Sequence, residues 1–101
     1  MTHYCVISHT HWDREWYLPQ EVFRLKLADL IDHLLDILAA EPDYVFHLDA
    51  QTVVLEDYFD IRPEQEALCR KHIRDGRLLI GPWYVQNDFL LTSGEAAVRN
   101  L

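Results

Sequence analysis

At 101 residues the chain is long enough for one small domain and no more. Its formal net charge of −8 at pH 7 argues against nucleic acid or an anionic membrane as partner, since either calls for a basic face. A hydrophobic share of 50% beside 26% charged residues describes an ordinary globular chain, and no apolar run is long enough to span a bilayer.

The run Tyr4-Cys5-Val6-Ile7-Ser8 reads as a buried strand. It starts almost at once and lacks a basic region before it, so no signal peptide is visible. Cys5 in this strand and Cys69 in a helix show neither metal-motif nor disulfide-framework spacing, and both are expected as buried or neutral thiols in a reducing cytosol. Directly behind the strand comes His9-Thr10-His11-Trp12-Asp13-Arg14-Glu15-Trp16-Tyr17. In extended chain, residues two apart project to the same side, so His9, His11 and Asp13 can share one pocket with Trp12, Trp16 and Tyr17 close by. Two imidazoles and a carboxylate at a strand end make a partial site for zinc or a similar metal. Aromatic faces beside it suit a ligand with an apolar ring face and polar edges, such as a sugar. The competing structural account is a polar loop whose histidines satisfy local hydrogen bonds; Asp13 and the two tryptophans tip the balance toward a functional site.

Pro19 opens a helix whose apolar stripe is Phe23, Leu27, Leu30, Ile31, Leu34, Leu35 and Leu38, with His33 on the solvated face. Glu41-Pro42-Asp43 ends it, because a residue before proline prefers extended geometry. Tyr44-Val45-Phe46-His47-Leu48 is a second short strand in which His47 reads as a hydrogen-bonded core histidine. Thr52 to Tyr58 forms a helical turn or two with Val54, Leu55 and Tyr58 inward. Pro63 starts another helix with Ala67, Leu68 and Ile73 inward, stopped at Asp75-Gly76. His3 and His72 carry no distinguishing context. Leu78-Leu79-Ile80 is a third buried strand, left through Gly81-Pro82-Trp83-Tyr84. Thr92 and Glu95 have capping-box spacing, so a last helix begins there and runs barely two turns to Leu101.

Short apolar strands alternating with amphipathic helices indicate a parallel sheet with helical cover, in which ligands bind beyond the carboxyl ends of the strands. The first strand ends at His9, His11 and Asp13, the second at Asp49 and Gln51, and the third runs out through Trp83 to Asp88. A metal held by His11, Asp13 and Asp88 would have a mixed nitrogen and oxygen shell of the kind zinc takes. A carboxylate there could also attack an anomeric carbon. Trp16 and Trp83 would supply stacking surfaces, and Asp49 or Gln51 could bind hydroxyls. Each has a structural rival: Asp88 as a turn cap, Trp83 as core, Asp49 as a helix cap.

His9 to Tyr17 resembles the first motif of glycoside hydrolase family 38, the class II α-mannosidases, and Gly81 to Asp88 resembles the second. Leu48-Asp49-Ala50-Gln51-Thr52, Glu56-Asp57-Tyr58 and the stretch from Ser93 to Leu101 resemble the bacterial branch. The resemblance covers essentially the whole chain. It implies a retaining exo-acting α-mannosidase whose zinc ion engages hydroxyls of a mannoside or oligosaccharide. Residue by residue, His11 and Asp13 match two zinc ligands, Asp88 matches the ligand that is also the catalytic nucleophile, and Trp16 matches an aromatic contacting the sugar. His9 is not a ligand in that family and is expected to orient its neighbours from the second coordination layer.

That family's catalytic domain is several times longer, and its fourth zinc ligand and general acid/base lie beyond the matched segment. The expectation is therefore three parallel β-α units, the amino-terminal piece of a seven-stranded β/α barrel-like domain, cytoplasmic and inactive without the remainder of the catalytic chain. Such a piece would bind zinc weakly, and its exposed edges would favour self-association. Two alternatives compete: a metal-dependent polysaccharide deacetylase, and a non-catalytic carbohydrate-binding α/β module.

Overall fold

The computed structural model describes all 101 residues. Three short parallel strands form one sheet in the order β1 (Ser8–His9), β2 (Phe46–His47), β3 (Leu78–Leu79). Ser8, Phe46 and Leu78 stand in register, as do His9, His47 and Leu79. Beyond the strands the pairing resumes as a parallel bridge between Gln51 and Trp83. This is the expected mixed α/β chain with three parallel strands; a seven-stranded barrel is not formed by these residues.

Helix α1 (Gln20–Ala40) starts behind Pro19, whose φ of −58° and ψ of 153° set the turn into the helix. It buries Phe23, Leu27, Ile31, Leu34, Leu35 and Leu38 as the spacing predicts, adds Ala28, and leaves Leu30 half-buried. It ends where Glu41 turns extended ahead of Pro42. Helix α2 (Val53–Ile61) packs against α1 and contributes Val53, Val54, Leu55 and Tyr58. The Tyr58 hydroxyl donates to Asp32 Oδ1 at 2.5 Å, and Arg62 Nε donates to the other oxygen of the same carboxylate at 3.1 Å. Burial first, and then the Asp32 carboxylate, raise the Tyr58 pKa, so the phenol remains a donor. These helices hold the core, with Leu48 and Leu78 reaching it from the sheet.

Three expectations need correction. The first strand is not buried: Tyr4, Val6 and Ile7 are 88%, 93% and 69% exposed, and Cys5 is exposed with them. An apolar run is buried only by what lies beside and above it, and β1 has a neighbour on one side alone. In the third helix, a 3₁₀ turn at Pro63–Gln65 leads into α3 (Glu66–Arg74), and the inward face is rotated. Cys69 and His72 are buried, with Ile73 half-buried, whereas Ala67 and Leu68 are exposed. Positions 69, 72 and 73 form one stripe at spacings of three and four, which the choice of Leu68 had hidden. Desolvation pushes the Cys69 thiol up to about 11. The last helix, α4 (Gly94–Arg99), is capped by Ser93 rather than Thr92: Ser93 Oγ accepts the Ala96 N–H at 3.1 Å. The Thr92 hydroxyl is occupied elsewhere, accepting from Asn87 Nδ2 at 2.7 Å and donating to the Asp88 carbonyl at 3.0 Å. Gly76 takes the left-handed conformation the sequence assigned it, with φ +72°.

Candidate functional site

The strands end on one side of the sheet, and the segment after β1 is fastened there by α2 and the corner before it. That corner is tight: Asp49 and Ala50 both have positive φ, +49° and +62°. Aspartate tolerates this region, whereas alanine enters it only when its surroundings require it. The corner is closed by two bonds, from the Asp49 N–H to His47 Nδ1 at 2.8 Å and from the Gln51 N–H to the Leu48 carbonyl at 3.0 Å. His47 is thus the hydrogen-bonded histidine expected from its place in the strand, although only half-buried.

Three contacts then run from this region to the loop after β1. Asp49 Oδ2 lies 2.7 Å from His11 Nδ1. Gln51, almost fully buried, brackets the backbone of Trp12: its Oε1 accepts the Trp12 N–H at 2.9 Å and its Nε2 donates to the Trp12 carbonyl at 2.8 Å. Arg14 forks onto the buried Asp57 carboxylate through Nε and Nη2 at 2.7 and 2.9 Å. The Asp57 hydrogen bond raises the Arg14 pKa further. Trp12 itself turns inward, edge-on to Phe23 at 5.9 Å, and serves the core.

The expected site residues separate into two groups. His11, Asp13 and Asp49 come together, with His11 Nε2 3.6 Å from Asp13 Oδ1. His9 sits two residues before His11, in an open pocket with Cys5, Ile7, His47 and Asp49. Asp88 stands apart. Its Oδ1 accepts the Leu90 N–H at 2.9 Å and its carbonyl accepts the Leu91 and Thr92 N–H groups, which makes it the cap of its own turn. Trp83 is half-buried and edge-on to Phe89 at 5.2 Å, while Trp16 is 75% exposed beside Tyr17. The loop carrying Trp83 and Asp88 is held by Asn100, whose side chain brackets Val85 as Gln51 brackets Trp12: Oδ1 accepts the Val85 N–H at 2.8 Å and Nδ2 donates to its carbonyl at 2.7 Å.

The donor chemistry fits two positions of a mixed nitrogen and oxygen shell. The His11 imidazole stands between two carboxylates, Asp49 Oδ2 at Nδ1 and Asp13 Oδ1 on the Nε2 side. No three His, Cys, Asp or Glu side chains are grouped so as to hold a metal ion, and Asp88 does not complete a shell with His11 and Asp13. The sequence had no local signature for the roles of Gln51, Asp57 and Asn100, because their partners are 15 to 43 residues away.

The family model described as the Glycosyl hydrolases family 38 N-terminal domain matches residues 1–101. A protein of Halalkalibacterium halodurans named as a mannosylglycerate hydrolase is 59% identical over 97 residues, which are 95% of this chain and 11% of that protein. Among solved structures, an alpha-mannosidase from Enterococcus faecalis V583 superposes with a TM-score of 0.88 at 46% identity. A glycosyl hydrolase family 38 protein from Enterococcus faecalis does so with a TM-score of 0.80 at 41% identity. Each of these two matches covers 93% of this chain and 11% of the other, so the chain spans about a ninth of the relatives it resembles.

Proposed function

The chain belongs to glycosyl hydrolase family 38, as part of its N-terminal domain, and from that membership we propose that it forms the amino-terminal segment of a retaining, zinc-dependent α-mannosidase. The observation that carries this reading is the His11–Asp13 pair beyond the end of β1, with Asp49 behind the imidazole. His11 and Asp13 would supply two ligands for the zinc ion, and Asp88 would join them once the rest of the domain draws its loop across; when bound, the ion supplies a Lewis acid for substrate hydroxyls.

In this reading the Asp88 carboxylate attacks the anomeric carbon. A carboxylate–sugar bond forms as the glycosidic C–O bond breaks, and the leaving oxygen takes its proton from an acid elsewhere in the domain. Water then cleaves the glycosyl ester, and two inversions give net retention. The Leu90 N–H anchors Asp88 Oδ1 and leaves Oδ2 for the attack. Trp16 offers an exposed ring face and Trp83 a half-buried one for a sugar, and the second oxygen of Asp49 remains for a hydroxyl. The H. halodurans relative's name adds mannosylglycerate to the mannosides worth testing.

The proton donor and a further ligand come from the rest of the catalytic domain, a seven-stranded barrel whose other strands cover the exposed Tyr4, Val6 and Ile7. The 101 residues alone are therefore inactive. No helix is long and apolar enough to cross a membrane, and we assign the enzyme to the cytosol.

The test is a trapping experiment on the complete enzyme that carries these residues. A fluorinated mannosyl fluoride should leave a glycosyl ester on the peptide containing Asp88, and Asp88→Ala should lower turnover on the order of a thousand-fold or more. Hydrolysis with inversion, or an adduct on another residue, would overturn the assignment. Deacetylation without any adduct would favour the deacetylase alternative.

A further inference from the structure

We propose that Asp49 is a positioning residue: from its left-handed corner it fixes His11 in the Nδ1–H tautomer and presents Nε2 to the ligand space beside Asp13. This rests on, and deepens, the zinc reading of the same pair.

Three linked features place the carboxylate there. The backbone at Asp49 and Ala50 is held at φ +49° and +62°, a conformation that non-glycine residues adopt only when their surroundings fix it. The acceptor that fixes it is His47 Nδ1, which takes the Asp49 N–H at 2.8 Å, so the corner is tied to the end of β2. The result is a 2.7 Å contact between Asp49 Oδ2 and His11 Nδ1 across 38 residues of sequence.

The contact has a chemical consequence beyond holding the ring. A neutral imidazole carries one proton, and the nitrogen without it is the one that can bind a cation or accept a hydrogen bond. With Nδ1–H given to Asp49, Nε2 is the bare nitrogen, and it is the one 3.6 Å from Asp13 Oδ1. Reversing the tautomer would put a proton between imidazole and ligand. The neighbouring clamps keep the geometry from drifting, since Gln51 holds Trp12 on both backbone groups and Asp57 holds Arg14.

The tautomer can be read directly by long-range proton–nitrogen correlation spectra of the protein at about pH 8, where histidines are neutral. The His11 signals are identified by their loss in His11→Gln. The expected spectrum shows Nδ1 protonated and Nε2 bare. In Asp49→Gly, which keeps a residue at ease with positive φ, the Nδ1–H form should be lost in favour of Nε2–H. In Asp49→Asn, whose carbonyl still accepts and which also tolerates the left-handed region, the Nδ1–H form should return. A wild-type His11 protonated at Nε2, or a tautomer unchanged in Asp49→Gly, would overturn the assignment. Zinc titration of the same samples reads the metal separately. Where zinc binds, Asp49→Gly should weaken it about 10- to 100-fold. An Nδ1–H wild type that takes up no zinc would count against the metal and leave the role of Asp49 standing.

Discussion

The two loops beyond the strands use the same fastener and differ in everything around it. One buried carboxamide brackets a backbone residue in each: Gln51 holds Trp12, and Asn100 holds Val85. The loop after β1 is also tied down by two carboxylates, Asp49 on His11 and Asp57 on Arg14. The loop after β3 has one such tie, the Tyr84 hydroxyl donating to Glu56 Oε2 at 2.8 Å, and past Val85 it closes on itself, with Asp88 accepting from Leu90, Leu91 and Thr92. A loop held from outside keeps its functional groups in a set orientation whatever binds. A loop held by its own turn can change shape without disturbing the core.

The largest expected effect separates the two fasteners. Gln51→Leu strands both backbone groups of a half-buried Trp12 and should cost about 2 kcal/mol in urea unfolding. Asn100→Leu frees the equally half-buried backbone of Val85, but in a loop whose own turn can yield to water, and should cost only about 1 kcal/mol. Equal losses would mean that the loops are held equally.

Acid weakens the fold from a position outside both loops. His72 is buried with neither ring nitrogen hydrogen-bonded, and its pKa is lowered by desolvation, then by Arg77 and Lys71, with Asp75 opposing. The folded state therefore resists the proton that the unfolded chain accepts below about pH 6.5. Stability is full above that value and falls as pH drops from there toward the lowered folded pKa. In His72→Gln this part of the pH dependence should vanish, while the difference between Gln51→Leu and Asn100→Leu persists. The smallest effect belongs to Ser93→Ala, which removes the exposed cap of α4 at about 0.5 kcal/mol and should loosen the second loop alone, as seen in amide exchange there.

The helices were legible because their information is local. The leucine stripe of α1, the stop at Glu41 before Pro42 and the left-handed Gly76 each follow from spacing within a few residues. The convergence of His11, Asp13 and Asp49 was legible more coarsely, since parallel strands bring their carboxyl ends to one edge. What Asp49 does there was not, because a contact spanning 38 residues leaves no periodic trace. The first strand misled for a related reason: Tyr4 to Ile7 have the composition of a buried strand, but burial depends on neighbours that these residues lack. Thr92 and Ser93 were interchangeable by composition, and only the backbone at Ser93, with ψ of 161°, decided between them.

The two cysteines make the protein its own reporter. Cys5 is exposed in the pocket that Asp49 also lines, while Cys69 is buried and held protonated by its surroundings. An alkylating dye at neutral pH should mark Cys5 within minutes and leave Cys69 untouched, placing one probe on the face where the strands end. The second thiol then reacts only when the helices part, so the count of labels per chain follows unfolding without any engineered site.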